Sequence, residues 1–240
     1  MTDDHSHERL FSDPKRLLLD MAQEQSLADL LQLIVARLSD SPRVALVRIW
    51  LAQPTTDCTG CPLPDACRDR SHCLHLVASG GRSALSPSIE WTRLDGAFRR
   101  FPFGVRKVGR IAATGEPIEA PDLADPFPDW MAVPDWARAE GIRGFAGQPL
   151  VHRGEVLGVL ALFARGAIGT DCMGWLRMIA NHAAAAIVTV RAFAEIEALR
   201  RKLELENEYL REELTRTGAF GELVGRSPAL EAVARQIDLV

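Results

Sequence analysis

The sequence predicts an α+β protein, an antiparallel sheet flanked by helices and followed by a long helix of coiled-coil type. Three observations carry this. Apolar residues recur at three- and four-residue steps from Leu27 to Leu38 and again from Trp175 to Val190, the stripe of a helix with one buried face. Short runs rich in β-branched and apolar residues come in two pairs, 44–52 with 73–81 and the two halves of 141–165, as in antiparallel hairpins. No Gly or Pro interrupts the text between Trp175 and Thr217, so the last helix has no local reason to stop.

Residues 1–24 read as an N-terminal extension, polar and frayed up to about Pro14, as chain ends commonly are. The first helix carries Leu27, Leu30, Leu31, Ile34, Val35 and Leu38 on one face, with Ser26 placed to cap it. VALVRIWLA, 44–52, is short and apolar enough for a buried strand. CLHLVASGG, 73–81, alternates Leu74, Leu76 and Ala78 against His75, Val77 and Ser79 and reads as its returning partner. A short helix from Val108 to Thr114 closes at Gly115, and Pro117 opens an extended segment. APDLADPFPDWMAVPDW reads as loop. Tryptophans and phenylalanines concentrate over 91–136, where aromatics either line a ligand pocket or lid the core. HRGE, 152–155, is a Gly-containing turn between two strands, and the second of these, VLGVLALFA, is apolar enough to be central. Thr170 or Asp171 can cap the last helix, and Cys172 in its first turn reads as a small buried residue. Beyond it Ile196, Leu199, Leu203 and Leu210 keep a coiled-coil spacing that Glu206 and Glu213 interrupt, so the seam predicts a weakly specified homodimer; a solitary charged helix supported by pairs such as Glu197 with Arg201 is the alternative.

The most chemical stretch is CTGCPLPDACRDRSHC, where Cys58, Cys61, Cys67 and Cys73 form a C-x2-C-x5-C-x5-C array holding four of the five cysteines. Thiolates are soft ligands, and four of them in one loop suit zinc or an iron–sulfur cluster, not magnesium or calcium. Gly60, Pro62 and Pro64 let so short a backbone curl, and no helix or strand is expected inside it. One knuckle followed by two single cysteines departs from paired zinc knuckles and tilts the expectation slightly towards iron–sulfur. A pair of disulfides or four reduced structural thiols is the alternative. His72 and His75 flank the last cysteine and could replace a ligand.

Composition limits the remaining classes. A 240-residue chain that is 47% hydrophobic and 25% charged, with net charge -4, does not advertise nucleic-acid or membrane-surface binding. The acidic start MTDDHSHERLF lacks the basic and apolar regions of a signal peptide, and no apolar run is expected to approach the roughly 18 residues of a membrane span. A cytoplasmic, reducing location is expected, where cysteine clusters favour metal over disulfide.

Taken in order, VALVRIWLA, CLHLVASGGR, VGRIAATGEPI, FAGQPLVHRGEVLGVLALFAR and LRMIANHAAAAI resemble a GAF sensory domain over 25–193, with the cysteine array as a hairpin insertion at 58–73. A helical linker, 194–217, follows. FGELVGRSPALEAVARQIDLV, 218–240, resembles the start of the AAA+ ATPase domain of bacterial sigma-54-dependent transcription activators, the group that includes formate hydrogenlyase activators; Ser227 and Pro228 capping an ordinary helix would explain that string locally. The resemblance implies a signal-sensing region, not itself an enzyme, that controls a downstream ATPase by redox or small-molecule input. ATP, sigma-54 RNA polymerase and promoter DNA would belong to domains beyond this chain, which contains no G-x4-G-K-[ST] loop. The rival is a GAF-fold thiol enzyme resembling free methionine sulfoxide reductases, with Cys67 or Cys73 as nucleophile and Arg68 and Arg70 supplying positive field.

Overall fold

Two hairpins form the centre of the sheet. β1 (Val44–Pro54) pairs with β2 (His72–Gly81), and β5 (Gly144–His152) pairs with β6 (Glu155–Ala164). β1 and β6 then join antiparallel, and two three-residue strands, β3 (Arg100–Pro102) and β4 (Ile118–Ala120), extend the edges in the order β3-β2-β1-β6-β5-β4. Arg153 and Gly154, with φ of 51° and 86°, make the two-residue turn between β5 and β6; positive φ at both positions matches the twist of the strands they join. The computed structural model describes residues 10–55, 58–59, 61–86 and 88–216. Gly60 and the 218–240 segment with its VGRSPAL string lie outside the described residues.

Both faces of the sheet are covered, which is why β1 and β6 read as apolar runs without clean alternation. Against one face pack α1 (Pro14–Met21), α2 (Leu27–Ser39) and the first part of α5 (Thr170–Arg216). Ser26 caps α2 as its position predicts, its hydroxyl accepting from the Asp29 N–H at 3.4 Å. The chain before α1 is not frayed throughout: Leu10 and Phe11 are buried against this layer. The other face is covered by α3 (Arg106–Thr114), the short α4 (Pro134–Ala139) and the loops around them. Gly115 ends α3 in the left-handed conformation, φ 69°, donating to the Ile111 carbonyl, as a C-terminal glycine should. The last part of the stretch expected to be loop is helical instead, because Pro134 stands at the first helical position, where a missing N–H costs nothing.

The expected alternation of β2 also fails at one point. Ile49 pairs with Ala78 and Trp50 with Leu76, leaving Val77 as an extra, bulged residue. Leu74 and Leu76 therefore face the α3 side, while Ala78 joins the α2 and α5 side. The chain divides into two compact units, Met1–Arg191 and Ala192–Val240. α5 does contain an 18-residue window with mean hydropathy 1.2, enough by length and composition to cross a membrane. In α5 Ile179, Ala180, Ala183, Ala184 and Ile187 are buried in the sheet-side core, the same apolarity a core helix needs.

Candidate functional site

The cysteine array lies where the β1–β2 hairpin crosses over. Two tight turns shape it, Cys61 N–H donating to the Cys58 carbonyl at 3.1 Å and Cys67 N–H to the Pro64 carbonyl at 3.3 Å, while the Thr55 N–H donates to Ser71 across the base at 2.8 Å. His72 and Cys73 are already on β2, so the loop is shorter than its sequence span. All four cysteines, with Arg70, Arg100 and Pro102, line one cavity of about 110 Å³. None is in a disulfide. Burial and the neighbouring Cys58, Cys61 and Cys73 push the Cys67 thiol up, with Arg70 acting the other way. Cys73 is buried, accepts from the Thr55 hydroxyl at 3.3 Å and lies 3.0 Å from His75 Nε2; His72 bonds to Ser71 instead. Among the described residues no three His, Cys, Asp or Glu side chains are drawn close enough to hold an ion as they stand. The sulfurs share a cavity wall without having converged. Cys172 is half-buried against the core, away from this cavity.

A second, larger cavity of about 290 Å³ opens between the sheet and α3. Its walls are aromatic: Trp50 meets Phe101 edge-on at 5.7 Å, Trp91 meets Trp136 at 6.4 Å, and Trp136 meets Phe163 at 5.4 Å. The tryptophans of 91–136 thus both lid the core and line a pocket, combining the two sequence expectations. What the sequence reading missed is the charge. Arg48, Arg106 and Lys107 line the cavity, and no Asp or Glu is among its described lining residues. Lys107 is 9% exposed, its Nζ lying 4.7, 4.6 and 4.8 Å from the ring centres of Trp130, Phe145 and Phe163, close enough for cation–π attraction. Burial, helped by the Arg106 charge, lowers its pKa from 10.5 to about 7. Burial likewise pushes the Arg48 guanidinium down; its Nε donates to Ser79 at 3.2 Å, and its charge lies 5.9 Å from the Phe98 ring centre. Two signals were available: a lone arginine inside the apolar run VALVRIWLA, and a lysine at the start of an amphipathic helix.

The short strand β3 separates the two cavities. Phe101 lines the aromatic one, while its neighbours Arg100 and Pro102 line the cysteine one, because successive strand residues point to opposite sides. β3 also runs almost directly into α3, where Arg106 and Lys107 begin the helix.

The GAF domain family matches residues 24–187. Among curated proteins, the formate hydrogenlyase transcriptional activator FhlA of Escherichia coli (strain K12) is 36% identical over 95 residues, 38% of this chain and 14% of that protein. The chain thus spans a small fraction of the length of the relatives it matches. Among solved structures, the GAF domain of a phosphoenolpyruvate-protein phosphotransferase from Coxiella burnetii superposes with a TM-score of 0.53 at 21% identity, covering 76% of this chain and 94% of that one. A free methionine-R-sulfoxide reductase from Neisseria meningitidis, in complex with its substrate, gives 0.52 at 19% identity, covering 80% and 95%. At these identities the two structures share the fold.

Proposed function

This chain belongs to the GAF domain family, and we propose that it is the signal-sensing regulatory region of a bacterial sigma-54-dependent transcription activator, acting on a downstream AAA+ ATPase. The observation that carries the reading is α5. Its first part supplies Met173, Leu176, Ile179, Ala183 and Ile187 to the sensory core, and the same unbroken helix continues to Arg216 with Phe193, Ile196, Leu199, Leu203 and Leu210 exposed. A sensor transmits only if its states favour different packings of the output element, and a helix built into both core and seam can be biased in that way. The likeness to formate hydrogenlyase activators supplies the protein class. ATP binding, contact with sigma-54 RNA polymerase and promoter recognition are assigned to sequence beyond this segment, and the location to the cytoplasm. The exposed stripe is assigned to a second copy of the chain; sedimentation should give a dimer, and the double variant Leu199→Asp, Leu203→Asp a monomer. A monomeric parent protein would remove the homodimer from this reading.

Cys58, Cys61, Cys67 and Cys73 are assigned to a bound metal. The donor chemistry fits, since four soft thiols line one cavity, and binding would have to draw their sulfurs together. An iron–sulfur cluster would supply a redox-sensitive charge at the hairpin, whereas zinc would supply only a brace. The reductase alternative, with Cys67 or Cys73 as nucleophile, makes a different demand on the same loop: substrate-dependent oxidation of one cysteine pair in place of stoichiometric metal.

Metal and acid-labile sulfide should be measured on protein purified without air, together with the visible spectrum. Iron with sulfide and a bleachable band is the expected result, colourless zinc the second. Cys58→Ser with Cys61→Ser should weaken metal retention beyond the roughly 10- to 100-fold that loss of a mere supporting partner costs. Protein that retains neither metal would end the metal assignment while leaving the regulatory one standing.

A further inference from the structure

We propose that the aromatic cavity binds a small organic acid with a flat, apolar body of one or two rings and a single carboxylate. The inference concerns this cavity alone and holds whatever the cysteine loop carries.

Size comes first. At about 290 Å³ the cavity lies near the lower end of ligand pockets, roughly 300–1,000 Å³, which favours a one-ring or two-ring body. The walls then select its surface. Trp50, Trp91, Phe101, Trp136 and Phe163 present ring faces and edges, and offset or edge-on contact with another flat ring is the arrangement such walls reward.

Charge decides the remaining group. An ammonium has three N–H donors and no acceptor, yet among the described residues Lys107 Nζ meets no oxygen, only three ring faces. The indole N–H of Trp91, another lining residue, is buried without an acceptor. Arg48 spends one N–H on a serine and has no carboxylate partner among the described residues. Buried donors left unpaired are costly, and three basic side chains, buried Lys107, half-buried Arg48 and exposed Arg106, line a cavity with no acidic side chain among its described lining residues, which favours an anion there. One carboxylate answers both deficits, because it is acceptor-only and can take several donors at once. A neutral ring of the same shape would fill the walls and leave the donors unpaired. A cationic ligand would be repelled.

The test uses the full chain and the tryptophan fluorescence of the cavity, with calorimetry for affinity. Benzoate, phenylacetate and indole-3-acetate are titrated beside benzamide as the neutral counterpart and acetate as the carboxylate without a body. The expected result is saturable binding of at least one aryl acid, with its neutral counterpart and acetate each weaker by about tenfold or more. Lys107→Met, which replaces a buried cation by an apolar side chain of similar length, should keep the fold by circular dichroism and weaken the acid by about tenfold; Arg48→Met provides the same test from β1. Failure of all three acids to saturate, equal binding of the neutral counterpart, or undiminished binding by both folded variants would each overturn the proposal.

Discussion

Glu140→Ala should destabilise the sensory unit by about 3–5 kcal/mol, the range for removing one partner of a buried ion pair. Glu140 ends α4 at 4% exposure and accepts from the Ser83 hydroxyl, from the Ala84 N–H at 2.8 Å and from Arg165 at 2.8 Å. Arg165 in turn donates to the carbonyls of Pro42, Val44 and Arg82. The pair thus ties the start of β1, the end of β2, α4 and the end of β6 at one point. Removing the carboxylate strands a guanidinium whose Nε is already buried without a partner. Urea unfolding should show a lower midpoint, and adding Arg165→Met to Glu140→Ala should recover part of the loss by removing the stranded charge. The pH dependence has a definite sign. Burial alone raises the Glu140 pKa, but Ser83, the Ala84 N–H and Arg165 outweigh it and hold the carboxyl below its usual range. Its contribution is therefore present above the unfolded value of about 4.3 and is lost as pH falls through the folded value. Glu140→Gln should flatten that acid limb. An unchanged midpoint in Glu140→Ala would mean that the pair contributes no stability.

Phe145→Ala should cost a similar amount, about 3–5 kcal/mol for a fully buried aromatic. Phe145 is 0% exposed, its ring centre 4.9 Å from Phe163 and 5.4 Å from Trp130, and it forms one face of the cage around Lys107. Truncation leaves a void at the floor of that cage and removes one of its three ring contacts. Phe145→Leu, nearer in volume, should cost less than about 1.5 kcal/mol. Leu85→Ala, at a residue 71% exposed, should change stability by no more than about 0.5 kcal/mol. Equal midpoints for the Phe145 and Leu85 variants would contradict the burial-based ranking.

The sequence alone determined what is local. The strand periods, the 152–155 turn with its hairpin, the Ser26 cap and the Gly115 stop each depend on residues a few positions apart, and period and turn chemistry specify them wherever they occur. Order then made the GAF family legible, because apolar runs buried on both faces keep their hydrophobicity however they are arranged. The cysteine array was equally visible, being one short loop. Tertiary structure decided which side of the sheet each residue serves. The Val77 bulge moves Ala78 to the opposite face, a one-residue shift that alternation cannot announce. Leu10 and Phe11 join the core although their neighbours are polar. Arg48 and Lys107 look like incidental charges in a strand and a helix until β1, β3 and α3 close around one cavity, and Glu140 and Arg165 find each other only because α4 and β6 end together. Such pairs are written far apart in the chain, and no local propensity records them; they exist only once register and packing have brought their elements into contact.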